Sequence, residues 1–225
     1  MKDASVSWNT LEKKEKYSNI KILHFFLTNS ILYYIFIDMN AVMLDSICEI
    51  CLGYAFRGKI LPEDNGIISV IQPKNILSGD FSDLVKVSDE TVRRKHCLNK
   101  NSILITNRGV FKSCVFNSSK NTVASGGIFI LSVKDDSNIL PEYISAYLNS
   151  SEGQKQLFSL QEVMTIPAIT LKTLKQVEIP LISLEKQRKL SEIVKLYERK
   201  TTLLKELLNL ETQRINETIK GVTNG

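Results

Sequence analysis

The chain has 225 residues, of which 43% are hydrophobic and 24% charged, so it can form the core of one ordinary globular domain with an extension. This composition excludes an intrinsically disordered protein, and 10 glycines and 5 prolines exclude a collagen-like or low-complexity chain. The formal net charge of +5 is compatible with an anionic partner but does not require one.

Residues 1–40 are predicted to be an N-terminal extension. Within it, residues 20–37 are apolar but interrupted by polar side chains, and each uninterrupted run is shorter than the roughly 20 residues of a membrane-spanning helix. Three interpretations stay open: a helix that packs on the protein, a membrane tether, or sequence upstream of a true start at Met39 or Met43.

Residues 41–183 alternate short β-branched runs with turn-forming residues, which predicts a mixed domain of the α/β (α+β) class with a β-rich centre. The predicted strands are residues 67–71, 102–106, 113–116 and 127–133. Two short peripheral helices are predicted, one beginning at Pro141 and one capped by Thr170.

The four cysteines are typical of reduced thiols in a cytoplasmic protein rather than of a disulfide framework. Cys48 and Cys51 have half of a zinc-ligand spacing, but no second pair with this spacing accompanies them. Cys97 and Cys114 lie far apart in the sequence, so we predict no metal site.

Residues 184–220 contain no proline or glycine and predict one long helix, followed by a tail at residues 221–225. Alternating steps of three and four residues define a coiled-coil-like apolar stripe, hereafter the predicted stripe: Leu190, Val194, Tyr197, Leu204, Leu208 and Ile215. A stripe of this length predicts a partner helix. The alternative is a solvated helix that rests on its own domain.

Positive charge is concentrated between residues 91 and 120, which contain seven basic and no acidic side chains. Several asparagines, with Phe111 and Phe116 nearby, accompany these cations, so the segment offers charges for DNA phosphates and amides that can read base edges. The predicted DNA-binding cations are Arg93, Arg94, Lys95, Arg108, Lys112 and Lys120. A solvated charged face is the alternative.

No catalytic residues are predicted, because the sequence has no nucleotide-binding, hydrolase or zinc-protease motif and no Pro-Pro pair of the kind found in base-flipping amino-methyltransferases. Two other classes stay open. One is a metal-dependent nuclease built from Glu63, Asp64 or Asp80. The other is a structural coiled-coil or membrane-tethered adaptor.

Three stretches of the sequence match the patterns of one known family. The first is residues 166–194, IPAITLKTLKQVEIPLISLEKQRKLSEIV. It resembles the end of a target-recognition domain and the helix that follows it in the specificity (S) subunits of type I restriction-modification systems. The segments GYAFRGK at residues 53–59 and LNKNSILITNRG at residues 98–109 are similar to family patterns as well. The resemblance covers about residues 41–220, and its last part is the most specific.

Two departures from the family pattern occur. Asn101 and Ser102 stand where Gly-Asp is usual, and Leu-Ile-Ser at residues 181–183 replaces a proline-rich linker. The resemblance implies a DNA target-recognition domain at residues 41–183 and a dimerisation helix at residues 184–220, an arrangement that is similar to half of a family subunit.

The resemblance also implies a non-catalytic reader of double-stranded DNA that directs an adenine-specific DNA methyltransferase and, where present, an ATP-dependent restriction endonuclease to a bipartite target. S-adenosylmethionine, ATP and magnesium would then belong to the partner subunits, with no cofactor in this chain. Matching turns add Arg57, Lys59 and Asn107 to the predicted DNA contacts. A homodimer through the long helix, or pairing with a different half-subunit, would complete the arrangement.

Overall fold

The computed structural model describes residues 40–92, 97–117, 121–160 and 166–223. Two units are distinguished, Met1–Ala41 and Val42–Gly225. The interpretations of residues 1–39 and the predicted DNA contacts Arg93, Arg94, Lys95 and Lys120 lie outside the described residues.

Nine short strands and six helices occur in the described ranges. The strands are β1 (Ala41–Met43), β2 (Cys48–Leu52), β3 (Ile68–Ile71), β4 (Val85–Val87), β5 (Ser102–Thr106), β6 (Ser113–Phe116), β7 (Thr122–Ala124), β8 (Ile128–Val133) and β9 (Glu178–Pro180). The helices are α1 (Leu44–Ile47), α2 (Pro73–Ser78), α3 (Pro141–Asn149), α4 (Ser151–Ser159), α5 (Leu171–Leu174) and α6 (Leu184–Thr223). The predicted mixed α/β fold with a long C-terminal helix is confirmed.

Two sheets form the centre of the domain. One is antiparallel with the strand order β2-β8-β5-β6. The other has the order β4-β3-β7, in which β3 pairs parallel to β7 and antiparallel to β4. The strands β1 and β9 form a separate two-stranded sheet.

The core lies around β5, whose five residues are all buried. Because β5 is flanked by β8 and β6, and because helices α2 and α3 contact it, its apolar run is covered on both faces. Leu104 packs with Ile71 and Ile128 in one apolar cluster. Phe111 and Phe116 are only 1% and 8% exposed, so these two rings belong to the core and cannot stack on nucleic-acid bases.

The two predicted peripheral helices begin as expected, one at Pro141 and one directly after its cap, Thr170. Pro141 occupies the first turn of α3, whose buried face includes Ile144, Tyr147 and Leu148. Thr170 caps α5, because its hydroxyl oxygen accepts a hydrogen bond of 3.2 Å from the Thr173 amide.

The two departures from the family pattern have local explanations. Asn101 has a φ of 67°, in the left-handed region that glycine and asparagine tolerate best, so asparagine can occupy the position where glycine is usual. In the segment that replaces the proline-rich linker, Ile182 is buried, and its carbonyl oxygen accepts a hydrogen bond of 2.8 Å from the side chain of Gln187.

Helix α6 has 40 residues and is therefore about 60 Å long. It includes residues 221–223, which were predicted to belong to a tail. The first turns of α6 are attached to the domain through Gln187, which is 1% exposed and accepts a hydrogen bond of 2.9 Å from the Leu140 amide, and α6 also packs against α3.

Candidate nucleic-acid interface

The three stretches with family resemblance meet at the turn Ser125-Gly126-Gly127 between β7 and β8. Residues 53 and 54 belong to the first stretch. The Gly53 amide donates to the Ile128 carbonyl (2.8 Å), and the Tyr54 amide donates to the Ala124 carbonyl (2.7 Å). A Cβ at Gly53 would overlap the Ser125 carbonyl group, so only glycine permits this crossing.

Asn107 connects the other two stretches to the same turn. Its amide donates to the Gly127 carbonyl (3.1 Å), and its side-chain Nδ2 donates to the Gly126 carbonyl (3.3 Å). The Asn107 carbonyl accepts from the Ile169 amide (3.1 Å), and the Gly109 amide donates to the Pro167 carbonyl (2.8 Å). The Asn107 side chain therefore has a structural partner, whereas the neighbouring Arg108 is exposed.

Lys112 lies on the same side of the domain, immediately before β6. Its half-buried side chain donates a hydrogen bond of 3.0 Å from Nζ to the Leu77 carbonyl oxygen in the last turn of α2. The carbonyl groups at the end of a helix carry partial negative charge and attract the ammonium group, so part of the role of Lys112 is structural. We call the region of the Ser125–Gly127 turn, with Arg108 and Lys112, the turn end of the sheets.

Another group of polar residues lies at the opposite end of the same strands. Asn101 precedes β5, Asn117 follows β6, and Asn121 precedes β7. The short segment 98–101 links them, because the Leu98 amide donates to the Thr122 carbonyl (2.7 Å) and the Asn101 amide donates to the Phe116 carbonyl (2.8 Å). We call this region the loop end.

The turn end and the loop end lie about 17 Å apart, the length of a five-residue strand such as β5. Arg57 and Lys59 are exposed and line a cleft of about 470 Å³ that extends from Tyr54, next to the turn end, to Val87, whose partner in β3 is Ile68 at the loop end. Arg108 and Lys112 lie at the turn end.

Glu63 is one of the three carboxylates of the nuclease alternative, and its side chain is hydrogen-bonded to a neighbouring loop. Its carboxylate accepts hydrogen bonds from the Ser88 amide (2.9 Å) and the Thr91 hydroxyl (2.8 Å). Hydrogen bonding with the side chain and the amide of Ser88, and then with Thr91, holds the pKa of Glu63 below its usual value. Glu63 therefore fixes the loop that directly precedes the predicted DNA contacts at residues 93–95. This role could not be predicted from the sequence, because the partners lie 25 and 28 residues away.

Asp80, another nuclease candidate, accepts hydrogen bonds from the amide and hydroxyl groups of Ser82 (2.9 and 2.6 Å), which lower its pKa in the same way. In the described part of the chain, no three His, Cys, Asp or Glu side chains lie where they could hold a metal ion together. Burial raises the pKa of the Cys48 thiol to about 12 and that of Cys114 to about 11.

The predicted stripe of α6 divides into two parts. Leu190 and Val194 are half-buried near the domain, whereas Tyr197, Leu204, Leu208 and Ile215 are exposed, Leu208 by 67%. A second exposed apolar row was not predicted from the sequence: Ile193, Leu196, Leu203, Leu207 and Leu210. At 100° per residue the two rows together cover roughly 200° of the helix circumference. None of the helices in the described ranges has both the length and the apolarity needed to cross a bilayer.

The fold and these surfaces define a class of binding protein in which exposed loops on a β-rich domain are joined to a long helix with an uncovered apolar face. The family model of the type I restriction modification DNA specificity domain matches residues 37–212. The chain belongs to this family, whose members are specificity domains rather than catalytic ones. A comparison with curated proteins gives no significant match.

Solved structures share this fold. One, from work on complex assembly and conformational transition of the type I R-M system, has a TM-score of 0.66 at 19% identity over 90% of this chain and 51% of that chain. The HsdS subunit from Thermoanaerobacter tengcongensis has a TM-score of 0.57 at 21% identity, with 88% and 49% covered. The S subunit from M. genitalium has a TM-score of 0.53 at 18% identity, with 77% and 42% covered. The chain spans about half the length of these structures.

Proposed function

We propose that the chain is a non-catalytic DNA sequence-recognition subunit of a type I restriction-modification complex. The observation that carries this proposal is the family match over residues 37–212, because it includes both the recognition domain and most of α6. In this proposal the domain contacts duplex DNA through its loops, and α6 holds the subunits of the complex together.

DNA binding is tested by its salt dependence. Each cation that neutralises a phosphate contributes about one ion to the slope of log affinity against log salt. We expect Arg57→Ala/Lys59→Ala to reduce that slope by about two if the cleft that they line contacts DNA, and Arg108→Ala to reduce it by about one if the turn end does. Lys220→Ala is the matched control, since this exposed lysine lies in the last turn of α6.

The basic segment at residues 93–95 is tested in the same assay. Arg93→Ala/Arg94→Ala/Lys95→Ala should weaken binding to every duplex sequence and reduce the salt slope by about three. An unchanged affinity and slope in this triple variant would remove the segment from the interface. Lys120, the last of the predicted cations, is tested by Lys120→Ala, which should reduce the salt slope by about one.

Assembly through α6 is supported by the exposure of its apolar rows. Antiparallel pairing of two copies about a twofold axis would bury the predicted stripe in a closed, isologous contact. Leu204→Asp/Leu208→Asp should convert the dimer to a monomer in sedimentation experiments while leaving the domain folded, because neither side chain is buried against it. Thr202→Asp/Asn209→Asp adds the same charge on the opposite, polar side of α6 and should leave the dimer intact.

The second apolar row supports a further partner on the same helix, because a two-stranded coiled coil buries one narrow seam. We assign this partner as an adenine-specific DNA methyltransferase subunit, joined in some complexes by an ATP-dependent restriction subunit. S-adenosylmethionine, ATP and magnesium belong to these partners in the proposal. Two identical domains would read a bipartite target of two inverted half-sites, so mapped methylation at an asymmetric site would instead require a second, different half-subunit.

A further inference from the structure

A cleft of about 1210 Å³ lies between the two central sheets at the loop end. Its apolar floor includes Leu104 and Phe116, and its wall carries Phe81, which is 39% exposed. Asn117 and Asn121 are both exposed and line the same cleft. The cleft therefore combines an accessible aromatic ring with two primary amides.

The backbone holds the two asparagines in defined positions. The Asn121 carbonyl accepts a hydrogen bond of 2.9 Å from the Ser69 amide in β3, and Asn117 directly follows Phe116, the last residue of β6. Within the described part of the chain, neither side-chain amide makes a hydrogen bond. Each amide is thus attached to a rigid strand end and keeps one donor and one acceptor group for a ligand.

The charges of the cleft argue for base edges rather than phosphates. Asp83 and Lys86 both line it, so the local charge is balanced, and the Asp83 carboxylate would repel a phosphate group. An asparagine amide forms two hydrogen bonds with N6 and N7 of adenine in the major groove, and a phenylalanine ring makes apolar contact with the thymine methyl group. We propose that Asn117 and Asn121 read adenine and that Phe81 contacts a thymine methyl group, so that the cleft determines specificity for A·T pairs.

This inference rests on the proposed function, and a selection experiment separates the two. The purified full-length chain is used to select duplexes from a random DNA library, and the enriched motif is compared with those of Asn117→Ala, Asn121→Ala and the control Asn209→Ala, an exposed position on α6. We expect each cleft variant to lose a preference for adenine of about tenfold at one motif position. The salt slope on non-specific DNA should stay unchanged, because no phosphate contact is removed.

Phe81 is tested with a chemical change in the DNA. Replacing thymine by uracil in the enriched motif removes only the methyl group, which should weaken binding of the unmodified chain at one position but leave the affinity of Phe81→Ala unchanged. The inference is overturned if the cleft variants enrich the same motif as the unmodified chain, or if uracil has the same effect on both proteins. If the unmodified chain enriches no motif, the proposed function itself fails, and the inference fails with it.

Discussion

The attachment of α6 to the domain depends on one buried amide, that of Gln187. Its Oε1 accepts from the Leu140 amide (2.9 Å), and its Nε2 donates to the Ile182 carbonyl (2.8 Å). These two bonds connect α6 with the loop before α3 and with the residues after β9. We therefore expect Gln187→Ala to loosen the junction between the recognition domain and the helix.

The expected loss of stability follows from the groups that the substitution leaves without partners. A buried donor or acceptor that loses its hydrogen bond costs about 1–3 kcal/mol. Because Gln187→Ala removes the partners of the Leu140 amide and of the Ile182 carbonyl, the free energy of unfolding should fall by about 2–6 kcal/mol. This is a large fraction of the roughly 5–15 kcal/mol by which a typical folded domain is stable.

Chemical denaturation measures this loss directly. Lys186→Ala is the matched control, since its side chain is exposed and its removal should change stability by less than about 0.5 kcal/mol. A loss below about 1 kcal/mol for Gln187→Ala would refute the reasoning, because the two bonds would then have water as a ready substitute.

A second variant at the same position, Gln187→Glu, should make the free energy of unfolding depend on pH. The protonated carboxyl group of Gln187→Glu has one acceptor and one O–H donor, so it can replace the bonds to the Leu140 amide and the Ile182 carbonyl, but not the longer bond of 3.4 Å from Nε2 to the Asn138 carbonyl. Its ionised form has no donor for the Ile182 carbonyl and would bury a charge. The stability of this variant should therefore approach that of the unmodified chain at low pH and decline as the pH rises above about 4.3, the ordinary pKa of glutamate in the unfolded chain.

Three further predictions concern the described domain. Gly53→Ala should lower the free energy of unfolding by about 2–3 kcal/mol in the same assay, because its Cβ would overlap the Ser125 carbonyl. Asn101→Gly should be nearly neutral, whereas Asn101→Ala should cost about 1 kcal/mol at a φ of 67°; equal losses would contradict this. Cys48 and Cys114 should resist alkylation at pH 8, since their raised pKa values of about 12 and 11 keep the thiols neutral. The free energy of unfolding should also decline as the pH rises above about 9, because at that pH the thiols ionise in the unfolded chain but not in the folded one.

The central strands could be predicted from the sequence because their apolar runs are bounded by clear turn residues. Residues 102–106 and 113–116 coincide with β5 and β6. For 67–71 and 127–133 the observed strands β3 and β8 begin one residue later. The turn residues themselves explain this success, since Gly109 has a φ of 73° in the loop that joins β5 to β6.

Other strands could not be predicted, because their short sequences do not show a clear strand pattern. β7 consists of only Thr-Val-Ala, and its parallel pairing with β3 joins residues that are far apart in the sequence. β2 has the sequence CEICL and was not among the predicted strands, and its partner in the sheet is β8. Short strands of this kind are stabilised by tertiary contacts rather than by intrinsic propensity.

The sequence names candidate DNA contacts but does not show how they are arranged in the fold. Neighbouring cations such as Arg108 and Lys112 do lie at one end, but Asn101 and Asn117 lie at the other, because β5 and β6 cross the whole sheet between them. Local sequence cannot separate these two groups without the strand register. The same limit applies to Glu63, whose partners in the loop before residue 93 come from a distant part of the chain.

In the proposed dimer, the length of α6 sets the distance between the two recognition domains and therefore between the two half-sites of a bipartite target. From Tyr197 to Val222 the exposed part of α6 is about 39 Å long. In the proposed antiparallel dimer this length separates the two recognition domains, and it is close to the roughly 34–36 Å of one DNA helical turn. Two domains held at that separation would face the same side of a duplex. The fixed attachment through Gln187 is then as important for the spacing as the length of the helix, because a loose junction would allow each domain to move along the groove independently.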